Sequence, residues 1–183
     1  NEQEYKDLID LNEADWIRFL SEDAIMTTSQ PQTSVVVDLL SEVKGKGYDF
    51  VYILSITSQL SGTLNSFNIG INMTQLTNYE LIDTYTIAGP VGYMAEAIWE
   101  MNELGLDHET IMDHLQNPLH HNETLISPET LNRLVKSGRM SKTTGLLGSL
   151  LKLKPVLKFS HHDESIEKHE VVRSERKVYE TII

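Results

Sequence analysis

Apolar positions recur along the first half of the chain with two alternating periods. In 13-EADWIRFLSE-22, Trp16, Ile17 and Leu20 fall on one side of a short amphipathic helix. In 32-QTSVVVDLLSEVKGKG-47, Val36, Leu39, Leu40 and Val43 make the stripe of a longer one. Pro31 is placed to open that helix, and Gly45 or Gly47 to stop it. Between the helices the rhythm changes. The run 49-DFVYILSI-56 is almost continuously apolar and rich in β-branched and aromatic residues, which predicts a parallel strand covered on both faces. A helix from about Thr63 to Gln75 follows, then a second strand, 79-YELID-83. A helix containing 91-VGYMAEAIWEMNEL-104 comes next and closes at Gly105. Alternation of this kind predicts a parallel α/β sheet.

The texture shifts after Gly105. Asp107 is placed to cap a helix reaching about Gln116, and Pro118 is expected to end it. The polar 117-NPLHHNE-123 leads into a short apolar segment, 124-TLIS-127. Ser127, Pro128 and Glu129 then predict a helix start, with Leu131, Leu134 and Val135 as its buried face and Gly138 as its stop. Ser141 is placed to cap another helix, carrying Leu146, Leu147, Leu150 and Leu151, which ends before Pro155. Two strands, 155-PVLKF-159 and 166-IEKHEVV-172, precede a final helix from Ser174. A domain boundary is expected between Gly105 and Glu123, giving domains of 1–110 and 111–183.

Two hydroxyl-rich stretches stand out against this framework. One is 56-ITSQLSGTLNS-66, which follows the first strand; the other is Thr27-Thr28-Ser29, just ahead of Pro31. In parallel α/β sheets, ligands sit beyond the carboxyl ends of the strands, near the next helix's N-terminus, where free N–H groups favour an anion. Ser61, Gly62 and Thr63 suit such a turn, because glycine admits close backbone approach and hydroxyls donate to an oxygen. Ser61 capping its own helix is the competing explanation. If the two clusters converge at adjacent helix starts, their neutral donors suit a single carboxylate better than a triphosphate. No Walker pattern and no G-x-G-x-x-G occurs, so nucleotide binding has little support. The absence of a G-x-S-x-G elbow likewise disfavours a serine nucleophile.

Composition narrows the classes further. With 183 residues, 40% apolar and 23% charged, the chain has enough apolar material for a sizeable core. A net charge of −12 argues against a nucleic-acid partner. One basic island interrupts that acidity: Arg133, Lys136, Arg139, Lys142, Lys152, Lys154 and Lys158 occur without an intervening acidic residue. It is either a solvated face or a docking surface for an anionic group. Zero cysteines exclude disulfides and thiolate metal sites and fit a reducing cytosol. The doublets His120-His121 and His161-His162 lack the spacing of a metal motif and are expected to be exposed loop residues.

Four motifs, in order, resemble one family. They are 27-TTSQP-31, 55-SITSQLSGTLNS-66, 81-LIDT-84 and 136-KSGRMSKTTGLLGSLLKLKPVL-157. On them the chain is similar to the DegV family of bacterial fatty-acid-binding proteins. The resemblance implies an α/β domain with a parallel sheet, followed by an α+β domain built on an antiparallel sheet. It implies a long-chain fatty acid between the domains, with Thr28 and Ser61 on its carboxylate and Ser29, Gly62 and Thr63 lining the head-group site. Arg139, Arg173 and Arg176 match basic positions near the head group or a partner-facing surface. The implied role is that of a cytoplasmic carrier. It presents the carboxylate to a separate fatty-acid kinase and contacts a membrane peripherally for lipid exchange, with no catalytic residue, metal or cofactor of its own. Two departures are visible: Ser137 replaces the first of two glycines and Thr84 a serine. The family's opening strand, with its Asp-Ser motif, and its last strands are absent, so the chain is expected to be incomplete at both ends. The alternative function is an enzyme handling phosphoesters or acyl groups, with the Ser/Thr loops as an oxyanion cradle. A third reading is a regulatory protein that docks through the basic island.

Overall fold

A computed structural model describes residues 3–6, 9–22, 26–129, 131, 134–135, 137–140, 153–163 and 165–183. Its first helix, α1 (Glu13–Ser21), starts at a capping box in which the Asn12 and Asp15 side chains each accept the other's backbone N–H. The expected stripe is not covered. Ile17 and Leu20 are 60% and 54% exposed, and no residue of α1 is buried.

Two strands, β1 (Val51–Ser55) and β2 (Tyr79–Asp83), pair in parallel from Val51↔Tyr79 to Ser55↔Asp83. Their side chains alternate between two cores, as a doubly covered sheet requires. Ile53 joins Val36 and Leu40 of α2 (Thr33–Lys46) and Ile71 of α3 (Thr63–Thr74) on one face. Ile82 joins Met94 and Ile98 of α4 (Gly89–Glu103) and Ile111, Leu115 and Leu119 of α5 (His108–His121) on the other. Helix α2 ends on Gly47, whose φ of +68° suits glycine. Its buried stripe is narrower than the sequence predicts: Val36 and Leu40 are buried, but Leu39 is 48% exposed. Val36 and Leu40 instead press against Gly70 of α3, where an added Cβ would lie 2.7 Å from Val36 Cγ1.

Helix α5 continues through Pro118, where the sequence predicts an end. Proline removes one backbone donor. Leu119, 7% exposed beside Leu115, keeps the last turn in the core, and Asn122 Nδ2 donates to the Pro118 and Leu119 carbonyls at 2.9 and 3.2 Å. The stripe Ile111, Leu115 and Leu119 therefore packs α5 on the parallel sheet, although a division at residue 110 would assign it to the second unit.

The second sheet is antiparallel, in the order β3 (Glu123–Ile126), β4 (Lys154–Ser160) and β5 (Glu167–Val172). A bulge at Val156/Leu157 shifts the register of β4 against β5. Leu157 and Phe159 enter one core with Leu131, Met140 and Ile166, while Val156 meets Val178 of α6 (Glu175–Ile182) in another. The helix predicted from Ser127 does not start there: residues 127–129 are not helical, Leu134 and Val135 are, and Gly138 turns the chain at φ +75°. The expected helix carrying Leu146, Leu147, Leu150 and Leu151 lies outside the described residues. Together these elements give a parallel sheet flanked by helices, followed by an antiparallel sheet. Among the described residues, no helix is long and apolar enough to cross a membrane.

Candidate functional site

The hydroxyl loop leaves β1 at Ser55 and is pinned by backbone hydrogen bonds before it reaches α3. Thr57, fully buried, donates its N–H to the Thr86 carbonyl at 2.9 Å. Its own carbonyl accepts the Leu60 and Ser61 N–H groups at 3.1 and 3.3 Å. Ser58 N–H donates to the Asp83 carboxylate at 3.1 Å, fixing the loop to the end of β2. Tyr85, which follows, has its phenol pushed above the ordinary range by burial and by the Asp83 charge.

Ser61 Oγ accepts the Thr63 N–H at 3.2 Å and lies 2.8 Å from Thr63 Oγ1. Ser61 thus stands one residue before Gly62, the N-cap of α3, and satisfies the N–H of the first helical residue without being the cap itself; it also faces a cavity. That open cavity, of about 390 Å³, is lined by Thr28, Ser29, Ser61, Thr63, Ser137 and Arg139 with Ile56, Leu60 and Leu134. Two segments far apart in sequence therefore converge on one space. The link between them is direct: Ser66 Oγ, on α3, donates to the Pro31 carbonyl at 3.0 Å.

Thr28 and Ser29 occupy a loop rather than a helix start, because α2 begins only at Thr33, two residues beyond Pro31. Gly62 has an ordinary φ of −77°, and the space its missing Cβ leaves is taken by the Gln30 carboxamide. Gly62 backs the cavity without lining it.

Arg139 is the cation among the described lining residues. Its Nε donates to the Leu60 carbonyl at 3.2 Å, Nη1 to Ser137 at 3.0 Å and Nη2 to Thr28 at 3.5 Å. One guanidinium so spans three segments around the cavity, which its planar fork permits. Arg173 and Arg176 are placed elsewhere. Arg173 is exposed just past β5, and Arg176 pairs with Glu180 along α6 at 2.8 Å. The basic island is largely engaged where it is described: Lys154 meets Glu175 at 3.0 Å and Lys158 meets Glu123 at 3.5 Å. Arg133, Lys136, Lys142 and Lys152 lie outside the described residues.

The histidine doublets are not simply exposed loop residues. His120 and His121 close α5, and His120 and His161 are both half-buried. Sequence reasoning also passed over the apolar wall residues. Leu60 sits inside the hydroxyl motif, where neither helical nor strand periodicity applies, and Leu134 reads as ordinary helix core. Among the described residues, no group of three or more His, Asp or Glu side chains could hold a metal ion.

Comparison with known proteins places this geometry in a family. The sequence model described as "Uncharacterised protein, DegV family COG1307" matches residues 1–183. A DegV domain-containing protein of Streptococcus pneumoniae is 29% identical over 182 residues, covering 99% of this chain and 64% of its own length. Another, from Halalkalibacterium halodurans, is 31% identical over 180 residues, covering 97% and 62%. The chain therefore spans less than two thirds of these relatives. Among solved structures, a fatty-acid-binding DegV family protein from Thermus thermophilus superposes with a TM-score of 0.82 at 27% identity, covering 97% of this chain and 62% of its own. DegV, a fatty acid binding protein from Bacillus subtilis, gives 0.79 at 27% identity, covering 97% and 63%. With the family match running from residue 1 to residue 183, the chain belongs to the DegV family.

Proposed function

We propose that the protein binds a long-chain fatty acid, with the carboxylate on the hydroxyls of Thr28 and Ser61 and the tail running between the two sheets. Ser29, Gly62 and Thr63 complete the head-group surroundings, and Arg139 braces them. The observation that carries this reading is the meeting of Thr28, Ser29, Ser61 and Thr63 with Ile56, Leu60 and Leu134 around one cavity. The fatty-acid-binding relatives from Thermus thermophilus and Bacillus subtilis support it at 27% identity.

The energetics suit a carrier. Burying about sixteen carbons at roughly 0.8 kcal/mol per methylene supplies on the order of 10 kcal/mol before ordering costs. The tail therefore provides affinity, and the polar end needs only to orient the carboxylate. Hydroxyl donors do so without the desolvation cost of a buried ion pair. In this reading the protein is a cytoplasmic carrier that meets membranes peripherally to exchange lipid. It presents the carboxylate to a separate fatty-acid kinase, and the acyl phosphate forms on that partner. Its domains follow the sequence division of 1–110 and 111–183, with the boundary moved past α5 to about residue 122, because α5 packs on the first sheet.

An enzyme using the same loops would need a base near Ser61. The polar side chains described around the cavity are hydroxyls and one guanidinium, which favours the carrier. Mass spectrometry of an organic extract of the purified protein tests the choice. One fatty acid per protein is expected; absence of lipid together with turnover of a phosphoester would support the enzyme instead.

A further inference from the structure

Four segments meet at His161. The β4–β5 turn contributes His161, His162 and Asp163; the end of α5 contributes His120, with His121 turned away to its own helix. The loop after β2 contributes Tyr85, behind Asp83, and the hydroxyl loop contributes Gln59. The His161 ring centroid lies 4.2 Å from that of His120, 4.4 Å from that of Tyr85 and 5.1 Å from that of His162. His161 Nδ1 is buried and meets no hydrogen-bonding partner among the described residues.

Gln59 joins this cluster to the head-group loop. Its Nε2 donates to the Ser160 carbonyl at 2.8 Å and to the Asp163 carbonyl, the residues that bracket the histidine doublet. The turn is otherwise held by Ser160 Oγ, which donates to Asp163 Oδ2 at 2.9 Å and accepts the His162 N–H at 3.2 Å. Gln59 stands two residues before Ser61, so these bonds run from the turn into the loop that carries the serine.

We propose that this histidine junction is a proton-operated latch on the hydroxyl loop, which acid opens and neutral pH closes. The proposal rests on the reading that Ser61 holds a carboxylate, because it assigns that site a regulated release. The chemistry is local. Protonating His161 creates an N–H at Nδ1 where no acceptor stands among the described residues, and sets a positive charge beside the rings of His120 and His162. Asp83 opposes this as the nearby carboxylate; Asp163 is engaged by Ser160, and Glu123, on the adjoining strand, is engaged by Lys158. Burial pushes the His161 imidazole below its ordinary range, and charge on His120 and His162 adds to this. A lowered histidine favours the closed state above the unperturbed histidine pKa of about 6.5, and that contribution is lost as pH falls below it.

The test measures hydrogen exchange of the amides of residues 58–63 in lipid-free protein from about pH 8 to pH 5, corrected for intrinsic rates. An opening that takes up one proton should rise by up to about tenfold per pH unit between the ordinary histidine range and the lower range of the closed state. His120→Gln/His161→Gln should flatten that slope. An equal slope in the double variant, or none in the wild type, overturns the latch. If the double variant does not fold, an NMR titration of the wild-type imidazoles decides: His161 titrating at or above the ordinary histidine range overturns it, and below that range supports it. Release of a fluorescent fatty acid forms the second arm, with the double variant controlling for the ligand's own carboxyl. Release that accelerates in parallel with opening supports the coupling, and pH-independent release overturns it. A protein that binds no fatty acid at any pH removes the carboxylate reading and with it the regulated release, while the exchange slopes still decide whether the junction opens with acid.

Discussion

Ser66 Oγ donates to the Pro31 carbonyl at 3.0 Å, and this one bond ties the helix behind Ser61 to the loop that carries Thr28. Ser66 is fully buried, and deleting its hydroxyl removes this bond and leaves a small void behind. Ser66→Ala should therefore cost about 1–2 kcal/mol of stability, read from urea denaturation. It should also weaken fatty-acid binding although Ser66 does not line the cavity. Unchanged stability with unchanged affinity would mean that the two loops are positioned independently.

Arg139→Ala should loosen three segments at once, because Leu60, Ser137 and Thr28 all present carbonyls to the same guanidinium. Kinase-dependent phosphorylation of the bound acid should fall more than acyl affinity, since the tail supplies most of the affinity. Arg139→Lys should rescue little, because an ammonium cannot reproduce the fork. Equal losses in both assays would place Arg139 in binding alone.

Two glycines should respond in opposite directions to alanine. At Gly70 the new methyl would stand 2.7 Å from Val36 Cγ1 and force α2 and α3 apart, costing about 1–3 kcal/mol. At Gly45, inside α2 with nothing within 4 Å, it should stabilise by about 0.5–1 kcal/mol. Thermal melts of the two variants check the pair.

Phe159 is fully buried in one core with Leu131, Leu157 and Ile166, which Leu60 and Ile87 join from the parallel-sheet side. Phe159→Ala should cost about 3–5 kcal/mol. Because Leu60 also lines the cavity, the same change should weaken acyl binding. A binding loss without a stability loss would contradict the shared core.

The sequence carried much of this arrangement, and its failures have physical causes. The strand Tyr79–Asp83 is legible in 79-YELID-83 because period and flanking polarity agree. The place of Ser61 is legible because it follows β1 at the carboxyl end of the sheet, whereas Thr28 lies in a loop that no helix start marks. What local pattern could not convey was cooperation at a distance. Pro118 reads as a helix end, but the burial of Leu119 against α4 and β2 and the Asn122 side chain on the last carbonyls keep the turn wound. Leu39 reads as core until Gly70 narrows the contact of α2 with α3. Gln59 is one polar residue in a polar loop, and its partners Ser160 and Asp163 come from another sheet. His120 meets His161 for the same reason: tertiary packing, with no trace in spacing.

The central claim is that neutral hydroxyls from two segments hold one acid head group. Titration of a long-chain fatty acid against the wild type and Thr28→Ala/Ser61→Ala addresses it most directly. Losing two hydrogen bonds of roughly 1 kcal/mol each should weaken binding by at least about tenfold, with folding intact. Equal affinity in the two proteins would contradict the account.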